Sequence, residues 1–377
     1  MPPVLLMAHA DVVPVVPGSE KDWLQPPFSG AISDGYVWGR GALDDKSPMV
    51  AILEATEALL AKGFQPERGI LLAFGHDEET GGHQGNQRIA ELLRQRNVRL
   101  AWVLDEGGFV GQGMVPGMSR NTAFVGIAEK GYMSVRLTAK ALGGHSSAPP
   151  AFAQTAIGQL TEAVNRVGAH PFALSLDDTV EQTLMALAPY QKGVPRVVFA
   201  NQWLFAPLTR HLLGNSKEFA TQMHTTVAPT IIQGGVKDNV LPPSAEAVLN
   251  LRIHPRDTQA SALEHLRLAI GNLPVEVQQL PGGWEPSTIS STDSEAFSLL
   301  EKTIRQSFAN TAVIPNLTAA ATDSRHYLGL AEQVFRFAPR QLAVSEIAGI
   351  HGANERISVS NLVLMAGFYY RLMEAQQ

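Results

Sequence analysis

The sequence predicts an α/β protein: a domain with a mostly parallel central sheet, interrupted by an inserted α+β segment. Three observations predict it. Up to about residue 127, short apolar runs alternate with amphipathic stretches, the rhythm of strand–helix–strand units. From about Glu129 the texture changes, and KGYMSVRLTAK alternates polar and apolar residues as a half-exposed antiparallel strand does. From about Ser287 the chain returns to helix, strand and helix. A chain of 377 residues suits two domains. The changes of texture place the first at 1–127 together with 287–377, and the insertion at 128–286.

Taken in order, Val4–Ala8 is apolar on both faces, as a buried parallel strand is. Such a strand needs neighbours, and nothing precedes it to supply them, so an upstream helix and strands are expected to belong to the same domain. Met49, Ile52, Leu53, Leu59 and Leu60 recur at helical spacing, which predicts a helix over Pro48–Lys62 that stops at Gly63. Strands follow at Gly69–Gly75 and Ala101–Leu104, with a helix near Asn86–Arg96 between them. In the insertion, the strand KGYMSVRLTAK leads through the loop GGHSSAPP to a helix near Ala153–Arg166. The strand-like segments TTVAPTIIQGG and AEAVLNLRIHP precede a helix around Ala260–Ile270. Pro171–Ala220 is apolar and helix-prone, and lacks clusters of titratable residues. The chain closes on a helix at Leu362–Glu374.

Composition excludes several classes. Hydrophobic residues make up 45% and charged residues 17%, which describes a globular protein and not a disordered one. The net charge of −6, with no Lys/Arg-rich run beside aromatics, leaves no footprint for nucleic acid. No cysteine is present, so any metal must be held by nitrogen and oxygen. No apolar run is long enough to span a membrane. The start MPPVLLMAHADVV lacks the basic region of a signal peptide. Compartment is left undecided, with a cytoplasmic setting favoured for the chain as it stands and any targeting segment lying upstream.

Five patches end a predicted strand or open a loop with side chains that ligate metals: MAHADVVPV, GRGALDDKS, FGHDEETGG, VLDEGG and GIHGANERIS. They supply His9, Asp44, Glu78, Glu79, Asp105 or Glu106, and His351. Two imidazoles with several carboxylates and no thiol suit a pair of Zn²⁺ ions sharing one carboxylate. Two such ions, about 3.5–4 Å apart, are the tool kit of metal-assisted amide hydrolysis. His9 and Asp11 are two apart and so share a face of an extended segment, where Asp11 can set the tautomer of His9. In the pair Glu78–Glu79, one carboxylate can bind metal while the other faces the substrate water; like charges this close raise one pKa, which suits a general base. Adjacent residues at a strand end can both turn inward, so Asp105 and Glu106 stay open. Each patch also has a plain reading, as a capped helix start or a solvated acidic turn. Five such coincidences in one order are what the metal reading replaces.

GGHSSA approaches the nucleophile elbow of serine hydrolases, but Ala148 stands where the last glycine should be, and the preceding strand reads as antiparallel. His145 reads better as a polarising group delivered from the inserted domain.

Together these residues resemble the dinuclear zinc metallopeptidases and amidohydrolases that include aminoacylase, glutamate carboxypeptidase and succinyl-diaminopimelate desuccinylase. TDSRHY at Thr322–Tyr327, the nearby RFAPR, and IHGANERISV carry a narrower match to the carboxypeptidase S and N-fatty-acyl-amino-acid hydrolase branch. The likeness covers essentially the whole chain from residue 3 onward, without the N-terminal segment those relatives carry before their HADVV-like motif. The resemblance implies that His9 and Glu106 (or its neighbour Asp105) complete one zinc site, and Glu79 with His351 the other. It implies that Asp44 bridges both ions, Glu78 is the general base and Asp11 orients His9. From the insertion, His145 in family dimers reaches the partner subunit's active site to stabilise the oxyanion. Asn239 in KDNVLP and Arg252 in LNLRIHP match positions that contact the substrate carbonyl or carboxylate, and Arg325 anchors a free carboxylate. The implied cofactors are two Zn²⁺ ions per subunit, with Co²⁺ or Mn²⁺ as alternatives, and the implied assembly is a homodimer through the inserted lid domain.

The expected function is zinc-dependent hydrolysis of the amide bonds of small peptides with a free C-terminus, or of N-acyl amino acids. Trp203, Leu204, Phe205 and Leu208 suggest an acyl or side-chain pocket, a buried core helix or a dimer contact. The competing expectations are a non-catalytic or truncated relative acting as a scaffold and a serine hydrolase built on GHSSA.

Overall fold

The computed structural model describes residues 1–115, 117–176 and 178–377. One unit comprises Met1–Ala128, Glu181–Leu204 and Ile289–Gln377, and the other Glu129–Val180 and Phe205–Thr288.

In the first unit the apolar run at the start of the chain forms the strand Val4–His9, buried at every position. It pairs in parallel with Ile70–Gly75 on one side and Trp102–Asp105 on the other, so both hydrogen-bonding neighbours come from later in the chain. Val4 and Leu6 enter one hydrophobic cluster, with Ala51, Ile52 and Phe368, while Leu5 and Met7 enter another, with Ala73, Leu93 and Val103. That division follows from the two-residue period of a strand and explains why an unbroken apolar run is needed. The full sheet among the described residues has eight strands. Its order is Gln341–Ala343, Val110–Gln112, Asn121–Glu129, Val334–Arg336, Trp102–Asp105, Val4–His9 and Ile70–Gly75, with Thr311–Thr318 pairing off this path to Asn121–Glu129. Asn121–Glu129 runs antiparallel to its neighbours Val110–Gln112 and Val334–Arg336, whereas Val334–Arg336, Trp102–Asp105, Val4–His9 and Ile70–Gly75 run parallel to one another.

The helices Lys46–Ala61 and Val359–Glu374 pack on each other and cover one face. The first stops at Gly63, whose φ of +72° is left-handed and costs little only for glycine. The second starts at Ser358, whose side chain accepts a hydrogen bond from Asn361 N. A small sheet of Ile32–Ser33, Tyr36–Trp38 and Arg356–Ser358 sits beside them. Its antiparallel register sets Arg356 opposite Trp38, which brings the chain just after Trp38 against the chain just before Arg356.

The second unit is an antiparallel sheet in the order Thr226–Gly234, Ser244–Ile253, Gly131–Lys140 and Val275–Gln279. Gly131–Lys140 alternates buried and half-buried residues, as its sequence predicts. Helices Ala156–Ala169 and Gln259–Ile270 cover one face, closing a core of Met133, Val135, Leu160, Leu249 and Leu266. Glu181–Leu204, which the sequence reading placed within 128–286, groups with the first unit. The reason is packing: Leu187, Tyr190 and Phe199 gather around Met118, Ala312 and Ile314.

Candidate metal centre and active site

Three parallel strands end on the same edge of the first sheet, and the residues at their ends supply part of the site. His9 closes its strand and is buried. Its Nε2 lies 3.1 Å from Asp44 Oδ1 and 3.4 Å from Glu106 Oε1. Its Nδ1 faces the Asp11 carbonyl oxygen at 3.1 Å and the Asp11 carboxylate at 3.3 Å. The two carboxylate oxygens of Asp11 also accept from Glu78 N at 3.1 Å and Glu79 N at 3.0 Å. One side chain thus fixes both the imidazole of His9 and the start of the glutamate turn. That turn reverses through Gly81 and Gly82, both at positive φ, and a side chain at Gly82 would run into the Asp323 carboxylate.

Asp44 is the hinge of the cluster. While Oδ1 faces His9, Oδ2 lies 3.1 Å from His351 Nε2, which in turn is 3.2 Å from Glu79 Oε1. Donor atoms converge within 4.8 Å in three groups: His9, Asp44 and Glu106; Asp44, Glu79 and His351; and His9, Glu78 and Glu79. Asp44 belongs to the first two, one oxygen to each histidine. Glu79 Oε1 is buried yet accepts no hydrogen bond among the described residues, the state expected of an oxygen that awaits a cation. Nitrogen and oxygen donors in two overlapping triads fit two divalent cations.

Asp105 and Glu106 have different neighbours. Asp105 is buried and Oδ2 accepts from Ser324 N at 2.7 Å, so it pins the Thr322–Tyr327 segment, while Glu106 faces His9. That segment is held further by Asn86, which donates to Asp323 Oδ2 at 2.7 Å and accepts from the Tyr327 hydroxyl at 2.7 Å. Arg325 donates to the carbonyls of Thr322 and Gly81, each at 2.8 Å, and lies 4.0 Å from Glu78 Oε1. It is therefore a tether of the glutamate turn with its charge beside Glu78.

Sequence reasoning passed over two residues that hold the candidate ligands in place. Glu355 is fully buried, and Oε1 accepts from Leu43 N at 2.8 Å and Asp44 N at 3.0 Å. Its Oε2 takes Arg40 Nη1 at 2.7 Å, and Arg40 Nη2 donates to the His351 carbonyl at 3.2 Å. Both stand inside the patches GRGALDDKS and GIHGANERIS, which was the available signal. Lys46 donates to the Ala10 carbonyl and Arg340 to the Leu43 carbonyl, tying the same loop from two further directions.

The electrostatics are those of acids crowded out of water. Burial, then the charge of Glu106, pushes the Glu78 carboxyl up to about 9. Burial, then the charge of Asp44, pushes Glu106 up to about 7. Burial opposes charge on His9, but its hydrogen bonds to Asp44 and Glu106 outweigh that and raise its pKa. Asp44 is likewise opposed by burial and yet lowered, because His351 and His9 both donate to it. A site that pulls protons onto its carboxylates is one that divalent cations would neutralise.

His145, Asn239 and Arg252 lie in the second unit. Gly144–His145 and Val240–Leu241 form an antiparallel ribbon that brings His145 opposite Val240, beside Asn239, whose carbonyl accepts from Ser146 N at 3.2 Å. His145 is exposed, and its Nδ1 accepts from Ser147 N at 3.1 Å. A ribbon is not the strand-to-helix turn that a serine nucleophile elbow requires. The Arg252 guanidinium lies 5.0 Å from the centre of the Tyr132 ring, which stacks on Trp284.

A family model described as peptidase family M20/M25/M40 matches residues 5–375. The chain belongs to this family. As an M20 protein it is a hydrolase of the metallopeptidase class, with metal-dependent cleavage of the amide bonds of peptides or N-acyl amino acids as the family's chemistry. The N-fatty-acyl-amino acid synthase/hydrolase PM20D1 of Xenopus tropicalis is 39% identical over 374 residues, covering 99% of this chain and 72% of that protein. Probable carboxypeptidase S-like 2 of Dictyostelium discoideum is 38% identical over 375 residues, covering 99% and 71%. Among solved structures, the M20 family metallo-carboxypeptidase Sso-CP2 from Sulfolobus solfataricus aligns with a TM-score of 0.71 at 18% identity, over 100% of this chain and 85% of that one. Human carnosine dipeptidase 1 aligns at 0.62 and 16% identity, over 100% and 80%. These two show the M20 fold, and the two sequence relatives match the branch that TDSRHY, RFAPR and IHGANERISV pointed to.

Proposed function

We propose that this M20 hydrolase binds two Zn²⁺ ions and cleaves N-acyl amino acids or small peptides with a free C-terminus. The single observation that carries the reading is Asp44, whose two carboxylate oxygens face the imidazoles of His9 and His351 at 3.1 Å each. His9, Asp44 and Glu106 would hold one ion, and Asp44, Glu79 and His351 the other. When bound, the ions supply Lewis acidity that activates water and polarises the scissile carbonyl.

The chain's own groups do the rest. Asp11 fixes the His9 ring, so that Nε2 points into the cluster. Glu78 is assigned the general base: it takes a proton from the attacking water and passes it to the leaving amine. Arg325, beside Glu78, holds the glutamate turn and is assigned to the substrate carboxylate side. To His145 we assign stabilisation of the negative charge that develops on the carbonyl oxygen, and to Asn239 and Arg252 contacts with substrate. A homodimer is proposed through the second unit, where the edge strand Thr226–Gly234 is exposed along most of its length.

The test is metal analysis of the purified protein followed by hydrolysis of a panel of N-acyl amino acids and dipeptides. Two zinc ions per chain and chelator-sensitive hydrolysis are expected. Zinc-replete protein that leaves the whole panel intact, or full activity after chelation, would overturn the reading.

A further inference from the structure

The helix Gln202–Gly214 shows much of its apolar surface to solvent. Two of its polar residues, Gln202 and Thr209, are buried, while Trp203 is 82% exposed, Leu204 56%, Leu208 47% and Leu212 57%. Leu204, Leu208 and Leu212 follow one another at intervals of four, so they form one stripe along the helix. The preceding helix, Val194–Ala200, also exposes Val194 and Val197. Burying apolar residues is the main gain of folding, so a helix that hides a glutamine and shows a tryptophan and three leucines loses part of that gain in water. The buried side pays further: among the described residues Gln202 Oε1 and Thr209 Oγ1 have no hydrogen-bond partner.

Charge says what covers the stripe. Within a chain of net charge −6, the stretch from Lys192 to Ser216 has no aspartate or glutamate, and it carries Lys192, Arg196 and Arg210, all exposed. Outward tryptophan and leucines flanked by lysine and arginine, on a helix too short to cross a bilayer, are the signature of a helix lying in a lipid–water interface. Among the described residues no helix is long and apolar enough to span a membrane, so contact would be peripheral. We propose that the Gln202–Gly214 helix docks this protein on an anionic lipid surface, with Trp203, Leu204, Leu208 and Leu212 in the acyl boundary and the cations at the headgroups. A protein partner for the same stripe would have to be acidic at its rim, and a second copy of this chain brings three more cations to the same place, which opposes pairing there.

Long-chain N-acyl amino acids concentrate at such surfaces, so docking would carry the enzyme to them. That consequence rests on the function proposed above, whereas docking itself does not.

The experiment is flotation with vesicles of phosphatidylcholine alone and of phosphatidylcholine with phosphatidylserine in equal parts, read together with tryptophan emission. Wild type is expected to float with the anionic vesicles and to shift its emission to the blue, a shift missing from Trp203→Phe. Leu204→Glu with Leu208→Glu should abolish flotation while the melting temperature and the hydrolysis of a short, water-soluble N-acetyl amino acid stay at the parental values. Arg210→Gln should weaken binding to the anionic vesicles about fivefold. Wild type that stays in solution with both compositions overturns the proposal. So does a double variant that still floats. A double variant that turns a dimer into a monomer in sedimentation, beside a wild type that ignores vesicles, would reassign the stripe to contact between copies.

Discussion

Arg40 and Glu355 form a buried ion pair, Nη1 to Oε2 at 2.7 Å, that joins the loop of Asp44 to the turn of His351. The remaining Glu355 oxygen holds the backbone of Asp44, and the remaining Arg40 nitrogen holds the carbonyl of His351. Glu355→Gln should therefore weaken zinc binding about 10–100-fold in a chelator competition. Breaking a buried pair on one side also costs about 3–5 kcal/mol of stability. The double change Arg40→Met with Glu355→Gln separates the two effects: it should recover most of the melting temperature and none of the metal affinity. Recovery of both would mean that the pair serves stability alone.

Glu78→Gln keeps the shape of the side chain and removes its capacity to carry a proton. Zinc content is expected to stay near that of wild type, and turnover to fall by about 10²–10⁴-fold. Loss of bound metal instead would make Glu78 a ligand, in line with its place in the third donor group with His9 and Glu79.

His145→Ala should lower kcat by about 10²–10³-fold with metal content and melting temperature unchanged, since the residue is exposed and belongs to a ribbon in the second unit. A variant with parental kcat removes His145 from the chemistry.

Lys130, in the second unit, supplies a pH dependence of stability. Burial, then the charge of Arg252, lowers its pKa from 10.5 to about 8, although its ammonium donates to the His224 carbonyl at 2.8 Å. Below about pH 8 both folded and unfolded chains are protonated there, and the folded state bears the full cost of the buried charge. Between about 8 and 10.5 the unfolded chain holds more protons, so stability rises with pH, and above 10.5 the contribution is level. The shift corresponds to on the order of 3 kcal/mol. Lys130→Met should be more stable than wild type in urea at pH 7, and the difference should shrink as pH passes through that window. A difference that stays constant with pH would show that Lys130 titrates as an ordinary lysine.

The parts of the fold legible in the sequence are those with a strong local period. Val4–His9, Ile70–Gly75 and Trp102–Asp105 announce themselves as apolar runs, and Gly131–Lys140 and Ser244–Ile253 by alternation. Ile32–Ser33, Tyr36–Trp38 and Arg356–Ser358 are two or three residues long, too short to show any period, and they exist only because distant chain pairs with them. Asn121–Glu129 was hidden for another reason: it is buried on both faces although antiparallel, so it shows no alternation. The candidate ligands were legible because histidine and carboxylate at strand ends carry chemistry in their identity. Arg40 and Glu355 were not, since a buried ion pair is defined by a partner 315 residues away. The stretch around Trp203 suggests from its composition a pocket, a core helix or a dimer contact, and composition alone could not reveal that Trp203, Leu204 and Leu208 are exposed, which rules out the core helix.

A chain without cysteine has no covalent way to secure its distant segments. His9 and His351 nevertheless face each other across one carboxylate, so a pair of cations there would close a ring embracing most of the polypeptide. Such a clasp does the work of a disulfide yet opens whenever the ions leave. Divalent metal supply would then set the resistance of this protein to proteases as much as its turnover.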